Sequence, residues 1–325
     1  MNKLTKIIIV CIAIFTGSIS QYALADIFPG KPIRLIVPFG PGGPTDVMAR
    51  IFSGEMAKYL GQPVIVENKP GANGNIALDY VIRSPADGYV IVLATAATMI
   101  INPLLSTSLS YNPLVALVPV AQFTQAPNIL VVSPNFPAKN FSEFIKIVKS
   151  NEKNFNYGSG GKGTTAHLQG EILKTNMGLK ADHIPYKGEA PALIDLMGGQ
   201  IDFVFVGMAS ANSQIQAGKV RPLAIASSSR SAKLNTVPTF TELGLKGLEL
   251  SAWYGIMAPK GTPTDVILKL NNAVHEAFKS PDLTSRLDDL GAIPFDLTPT
   301  EFSIFLQTEN SKWSPIVKQS GLKAD

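Results

Sequence analysis

Two glycine-rich turns, one in each half of the chain, constrain its fold more than any other feature. The first is Phe39-Gly40-Pro41-Gly42-Gly43-Pro44-Thr45-Asp46, which follows the β-rich run Ile33-Arg34-Leu35-Ile36-Val37. The second is Gly158-Ser159-Gly160-Gly161-Lys162-Gly163-Thr164-Thr165, which follows Phe155-Asn156-Tyr157. Each leads into a helical pattern. A glycine-rich turn between strand and helix leaves backbone N–H groups unpaired at the positive end of the helix dipole, a ready-made anion site. Two such turns imply a carboxylate held between two lobes.

The pattern around the turns is an alternation of strands and helices. Ile33–Val37 precedes a helix near Thr45–Leu60, and Val64–Glu67 precedes one near Gly74–Ser84, with Val90–Ala94 as the next strand. A second set follows near Pro127: strand Ile129–Val132, helix Phe141–Ser150, strand Phe155–Gly158, helix Thr165–Met177, strand His183–Tyr186, short helix Pro191–Gly198, and strands Phe203–Val206 and Pro222–Ala226. After Trp253–Ala258 the pattern turns mainly helical. Thr262-Pro263-Thr264-Asp265 and Thr298-Pro299-Thr300-Glu301 each read as a helix start, with Thr as cap, Pro at the first helical position and an acid behind it. Such alternation predicts an α/β fold with mostly parallel, doubly covered sheets. With no long linker between the halves, the chain is expected to cross between lobes through short connections.

The N-terminus carries Lys3 and Lys6, the apolar run Ile7–Phe15 and the small-x-small triplet Ala23-Leu24-Ala25. This is the pattern of a secretory signal peptide over residues 1–25, with Asp26 as the mature start. A membrane anchor needs about 20 apolar residues, far more than this run offers. The one cysteine, Cys11, lies inside the signal, so the mature protein has neither disulfides nor a thiolate nucleophile. Loss of Lys3 and Lys6 takes the formal net charge from +4 to +2. No basic cluster with interleaved aromatics is present, which argues against nucleic acid as a partner.

The site candidates carry more than one reading. Gly42 and Gly43 fit a turn that needs positive φ as well as an anion site. Asp46 fits a first-turn acid favoured by the helix dipole, or a group near the ligand. Thr45 could cap its helix or give its hydroxyl to a ligand. His167, in the first turn after the second loop, is expected neutral, because a cation there opposes the dipole. It could pack near the cleft or shape the ligand site. A nucleotide loop is disfavoured: two residues separate Gly158 and Gly161 where that motif has four, and Gly163 rather than Ser or Thr follows Lys162. No His-Glu-x-x-His or Gly-x-Ser-x-Gly motif is present, so neither zinc nor a serine nucleophile is supported and no cofactor is expected.

Ordered blocks along the mature chain resemble a known family. They are Lys31 to Phe39 running into Gly42-Gly43 and Asp46 to Arg50, Val66 to Gly74, Pro85 to Tyr89, Tyr157-Gly158-Ser159 through His167-Leu168, His183 to Gly188, Ala217 to Ala224, and Trp253-Tyr254-Gly255. Together these resemble the Bug family, periplasmic receptors of tripartite tricarboxylate transporters. The resemblance implies a two-lobed type II periplasmic-binding-protein fold, here with lobe 1 over 26–126 and 250–325 and lobe 2 over 127–249. It implies a small organic acid as ligand, membrane permease subunits as partners, and no catalysis. By position it brings to the ligand Phe39, Gly40, Gly42, Gly43, Thr45 and Asp46 from lobe 1, with Thr95 and Thr98. From lobe 2 it brings Ser159, Gly160, Gly163, Thr164, Thr165 and His167. Many members carry an acid after the strand near Phe205; here Val206-Gly207 stand there. With Val206 beside the ligand, a buried ammonium lacks a partner, and di- or tricarboxylates or aromatic acids are expected in preference to amino acids. A sensory receptor presenting the same ligand, or a secreted enzyme on the same fold, are the competing classes. N-terminal sequencing of the exported protein is expected to begin at Asp26; a start at Met1 removes the argument for export.

Overall fold

The structure is a computed structural model that describes residues 28–106, 109–150, 154–227, 229–245, 247–248 and 251–319. The expected signal segment and its cleavage site lie outside the described residues. The strands, in chain order, are β1 (Ile33–Val37), β2 (Val64–Asn68), β3 (Val90–Thr95), β4 (Leu117–Ala126), β5 (Asn128–Val132), β6 (Phe155–Ser159), β7 (Ala181–Pro185), β8 (Phe203–Gly207), β9 (Arg221–Ile225), β10 (Ala252–Pro259) and β11 (Ile293–Leu297). The helices are α1 (Pro44–Leu60), α2 (Asn75–Ile82), α3 (Asn102–Leu105), α4 (Pro113–Ala116), α5 (Phe141–Ser150), α6 (Thr165–Met177), α7 (Glu189–Met197), α8 (Met208–Gln216), α9 (Thr264–Ala277), α10 (Pro281–Asp289) and α11 (Pro299–Gln319). A π-helical turn, Ala97–Ile101, runs into α3.

Two sheets result. One has the order β11-β4-β10-β3-β1-β2, the other β7-β6-β8-β5-β9. Each is buried on both faces, and strict alternation along a strand divides its side chains between them. Leu35 and Val37 enter a core with Met48 and Phe52 of α1, while Ile36 enters one with Leu78 of α2 and Trp313 of α11. In the second sheet Phe203 and Phe205 face α5 and α6 through Phe144 and Leu173, and Val204 and Val206 face α7 and α8 through Leu196 and Ala211.

The sheets are mixed rather than mostly parallel. β1 runs parallel to β2 and β3, and β6 to β7 and β8, but β10 is antiparallel to β3 and β4, and β5 to β8 and β9. The reason lies in how the chain crosses. A strand of a βαβ unit ends at the edge where the lobes meet, whereas β5 and β10 each begin there, immediately after the chain has crossed. The crossing strands pair where they meet, Ala252 opposite Ala126.

One strand has no counterpart in the sequence reading, and one of the two expected helix caps changes. β4, the strand that leaves the first lobe, contains Pro119, which breaks a sequence pattern for a central strand. It is accommodated opposite Met257, where the β4–β10 register shifts. Thr298 does cap α11, accepting from the Glu301 N–H at 3.3 Å while the Glu301 carboxylate accepts from the Thr298 N–H at 2.9 Å. Thr262 does not cap α9; its hydroxyl donates to the Pro259 carbonyl instead, and Pro263 holds the cap position.

α6 lies so close to β6 that only glycine fits at one crossing. A Cβ on Gly170 would sit 2.1 Å from the Tyr157 ring. That ring cannot retreat: it stacks on Phe203 at 5.5 Å, and its hydroxyl donates to Glu171 at 2.7 Å. Gly170→Ala is therefore expected to destabilise the protein by about 1–3 kcal/mol despite the better helix propensity of alanine. Equilibrium urea unfolding checks this; an unchanged or higher midpoint contradicts it.

Candidate functional site

Between the sheets lies a cleft with about 540 Å³ of empty space, counting the part open to solvent. Four helical segments begin on it. From the first lobe come α1, through Gly43, Pro44 and Thr45, and the segment starting at Ala96 and Ala97. From the second come α6, through Thr164 and Thr165, and α7, through Gly188 and Glu189. Phe39, Gly40, Thr95, Gly160, Asn128, Ala252 and Tyr254 complete the lining. None of the lining residues is Lys, Arg or His. The groups on the wall that attract an anion are therefore backbone dipoles at the helix starts, which keep their direction and need no counter-ion of their own.

The sequence candidates divide into residues on the cleft wall and residues behind it. Phe39, Gly40, Gly43, Thr45, Thr95, Gly160, Thr164 and Thr165 line the wall. Gly42, Asp46, Thr98, Ser159, Gly163, His167 and Val206 do not. Asp46 is a brace for the first loop. Its carboxylate accepts from the Gly42 N–H at 3.0 Å, Arg50 Nε at 2.9 Å and Asn68 Nδ2 at 3.0 Å. Burial works to raise its pKa, but Arg50, the Gly42 amide and Asn68 outweigh it and hold the carboxyl below its ordinary range. Gly42, at φ +78°, is the residue of that loop whose backbone demands glycine, not Gly43 at φ −80°. Thr45 makes no capping bond, which leaves its side chain on the wall. Thr98 closes the turn after β3, its Oγ1 accepting from the Thr95 N–H at 3.1 Å.

His167 and Ser159 brace the second loop in the same way. His167 Nδ1 accepts from the Gly163 N–H at 3.1 Å, and Ser159 Oγ bonds His183 Nε2 at 2.7 Å. The two imidazoles stack at 3.8 Å. Burial pushes the pKa of His167 down to about 4, against the pull of Glu171, and that of His183 to about 3, where His167, Lys174 and Lys162 push the same way. Gly163, at φ +71°, faces the other lobe, where a Cβ would meet the Asn102 carboxamide oxygen at 2.6 Å. Close approach recurs at Gly40, whose Cβ position is 3.3 Å from the Lys187 carbonyl. The lobes are thus in contact across the cleft.

Val206 corrects the sequence reading. It is fully buried in the core among Ile129, Ala192 and Ala211, because alternation along β8 turns it into the sheet's α7/α8 face. The acid of this cleft comes from elsewhere. Glu189, first residue of α7, lies on the wall, and its Oε2 accepts from the Gly207 N–H at 2.8 Å. Burial pushes its pKa up to about 7, against the opposing pull of the Gly207 amide and the Ser210 hydroxyl. Asn128 was also missed. At the first position of β5, it donates to Thr165 Oγ1 at 3.0 Å and to Gln169 Oε1 at 2.6 Å. Nothing local marks either residue: Glu189 reads as a first-turn acid, and Asn128 as the polar edge of an apolar strand. Among the described residues no cluster of His, Cys, Asp and Glu is arranged to hold a metal ion, and no helix is long and apolar enough to cross a membrane.

A two-lobed α/β protein with a cleft floored by helix N-termini is a solute-binding receptor by architecture. Residues 48–322 match the model of the tripartite tricarboxylate transporter family receptor, and the chain belongs to that family. The solved periplasmic binding protein BugD is 34% identical, with a TM-score of 0.87 over 92% of this chain and 100% of that one. Rpa4515 of R. palustris, solved with adipate, is 32% identical with a TM-score of 0.88, covering 91% and 99%. MatC from Rhodopseudomonas palustris, solved with malate, is 36% identical with a TM-score of 0.84, covering 89% and 100%.

The stacked histidines give the fold an acid limit. Both are neutral when folded and titrate near 6.5 when unfolded, so the stability they provide is complete above pH 6.5 and drains as pH falls towards about 4. Urea midpoints are expected to drop over that window by the equivalent of about 6 kcal/mol, about 3 from each ring, and His183→Gln is expected to remove about half of the drop. Identical pH profiles for the two proteins contradict the assignment.

Proposed function

We propose that this protein is a periplasmic receptor that captures a small organic carboxylate and hands it to the permease subunits of a tripartite tricarboxylate transporter. The observation that carries the reading is the convergence of four helix starts, two from each lobe, on a cleft whose lining has no cationic side chain. Backbone N–H groups and the hydroxyls of Thr45, Thr95 and Thr165 suit carboxylate oxygens, while Phe39, Pro44, Ala96, Ala97 and Ala252 suit a short carbon chain or ring. The adipate and malate held by two structural neighbours support the same class of ligand. Residues 26–126 with 250–325 and residues 127–249 form the two moving lobes, which hinge at the crossings beside Ala126 and Ala252. Closure is driven by contacts that the ligand makes to both lobes at once, since a ligand shifts an equilibrium only by its differential affinity for the two states. The protein binds its ligand without transforming it, and delivery to the permease follows reopening.

A thermal-shift screen with succinate, malate, adipate, citrate and benzoate tests the class of ligand. A true ligand at 100 times its Kd adds about 2.7 kcal/mol to stability. Gly43→Val is the matched control. At φ −80° valine fits the backbone, and its Cβ meets only the Gly40 carbonyl at 3.6 Å. The side chain then occupies the mouth of α1. Affinity for the best acid is expected to fall by roughly 100-fold, about 2.8 kcal/mol, with the ligand-free melting temperature nearly unchanged. No shift with any acid, or unchanged affinity in Gly43→Val, contradicts the reading. Uptake into permease-containing vesicles that proceeds equally well without the receptor contradicts the transport role.

A further inference from the structure

Glu189 is hard to reconcile with an anion site unless its charge is removed. Its carboxyl is buried on the cleft wall, with Gly160 against its Cγ and the Gly207 amide on one oxygen. No cationic side chain shares the lining to offset it. Lys187 and Lys162, on the loops that flank it, lie outside the lining, and the strands and helices packed around it supply no free cation. β8 and α8 carry no charged residue. β6 presents Ser159 and Tyr157, the latter turned away to Glu171. Asp195, further along α7, accepts from the Tyr186 hydroxyl. From α1 comes Pro44, with Asp46 committed to Arg50 and Asn68. From β10 comes Tyr254, whose own ionisation burial and the Glu189 charge both oppose.

An ionised Glu189 would face an incoming carboxylate across the cleft with no cationic side chain to offset the two charges. A neutral Glu189 removes the repulsion and adds an O–H donor, forming a carboxylic acid–carboxylate hydrogen bond of the strong, charge-assisted kind. We propose that Glu189 is a specificity-determining residue that holds the ligand as a neutral carboxylic acid, so that the receptor takes up one proton with each organic anion it binds. The proton comes from solvent and stays on the Glu189 carboxyl; no covalent bond changes in the ligand. This inference rests on the carboxylate reading of the cleft and adds to it a ligand class: acids that bring a carboxylate, and no ammonium, to Glu189. Burial that lifts the group's pKa to about 7 places the transition within the range of extracytoplasmic pH.

Calorimetry with adipate and malate, between pH 6.5 and 9, tests the proposal, because both ligands are fully ionised there. For the wild type, affinity for whichever of the two binds is expected to be steady near pH 6.5 and to fall about tenfold per unit above pH 7.5. Titrations in buffers of different ionisation enthalpy are expected to show uptake approaching one proton at pH 8. Glu189→Gln keeps a donor and an acceptor at the same place. Its affinity, whatever its value at pH 6.5, is expected to stay level up to pH 9, and its binding to take up no proton. A wild-type affinity that is flat with pH overturns the proposal, as does a Gln variant that retains the slope. Tighter binding of aspartate than of succinate overturns it too, since Glu189 would then serve as an anion for an ammonium. Absence of any carboxylate binding at pH 6.5 overturns the carboxylate reading itself, and this inference with it.

Discussion

The polarity of the strands at the lobe boundary is the constraint on which the rest of the structure depends. β1, β3, β6 and β7 each lead into a helical segment that starts on the cleft wall. Their unpaired N–H groups therefore point into the space between the lobes, with no charged side chain needed to create a positive potential there. The same rule forces β5 and β10 to run the other way, since the chain enters each lobe from that edge. Their first residues, Asn128, Ala252 and Tyr254, become the back wall of the cleft. One geometric fact thus accounts for the mixed sheets and the make-up of the site.

A loop that offers its backbone to a ligand cannot also bond that backbone to itself, so it must be held from behind. Asp46 does this for the first loop through the Gly42 amide, with Arg50 and Asn68 fixing the carboxylate. His167 does it for the second through the Gly163 amide, backed by the His183 stack and Ser159. The braces differ in kind. Asp46 is charged and tied to partly exposed arginine, whereas the imidazoles are buried and neutral, which makes the second loop the acid-sensitive one. Glu189 belongs to neither brace. It is a buried acid on the wall of a cleft built from positive dipole ends, and its protonation state sets the charge that the cleft can accept.

Much of this was legible before any coordinates. The glycine turns, the alternation of elements and the helix starts at Thr165 and Pro299 follow from local chemistry, because backbone angles and hydrophobic period are properties of a few consecutive residues. β4 was hidden by Pro119, which becomes tolerable only through a register shift with a strand far along the chain. The candidate site was legible as two loops but not as a surface. Sequence order shows that Asp46 and His167 stand at the glycine turns. It does not show that both turn their side chains away from the cleft to hold backbone amides.

Local chemistry along the chain thus defines the class: an α/β protein in two parts, with one anion-ready turn in each. Which side chains meet between those parts depends on the assembled sheets. Val206 and Glu189 make the point. Both stand at element boundaries in lobe 2, and neither neighbourhood says which way the side chain faces. The alternation of β8 sends Val206 into the core against Ala192 and Ala211, and the packing of α7 on β8 carries the Glu189 carboxyl to the Gly207 amide at the cleft wall. Burial and the charges that surround a group depend on residues far apart in the chain, so the acid that governs this cleft became visible only after the sheet had been assembled.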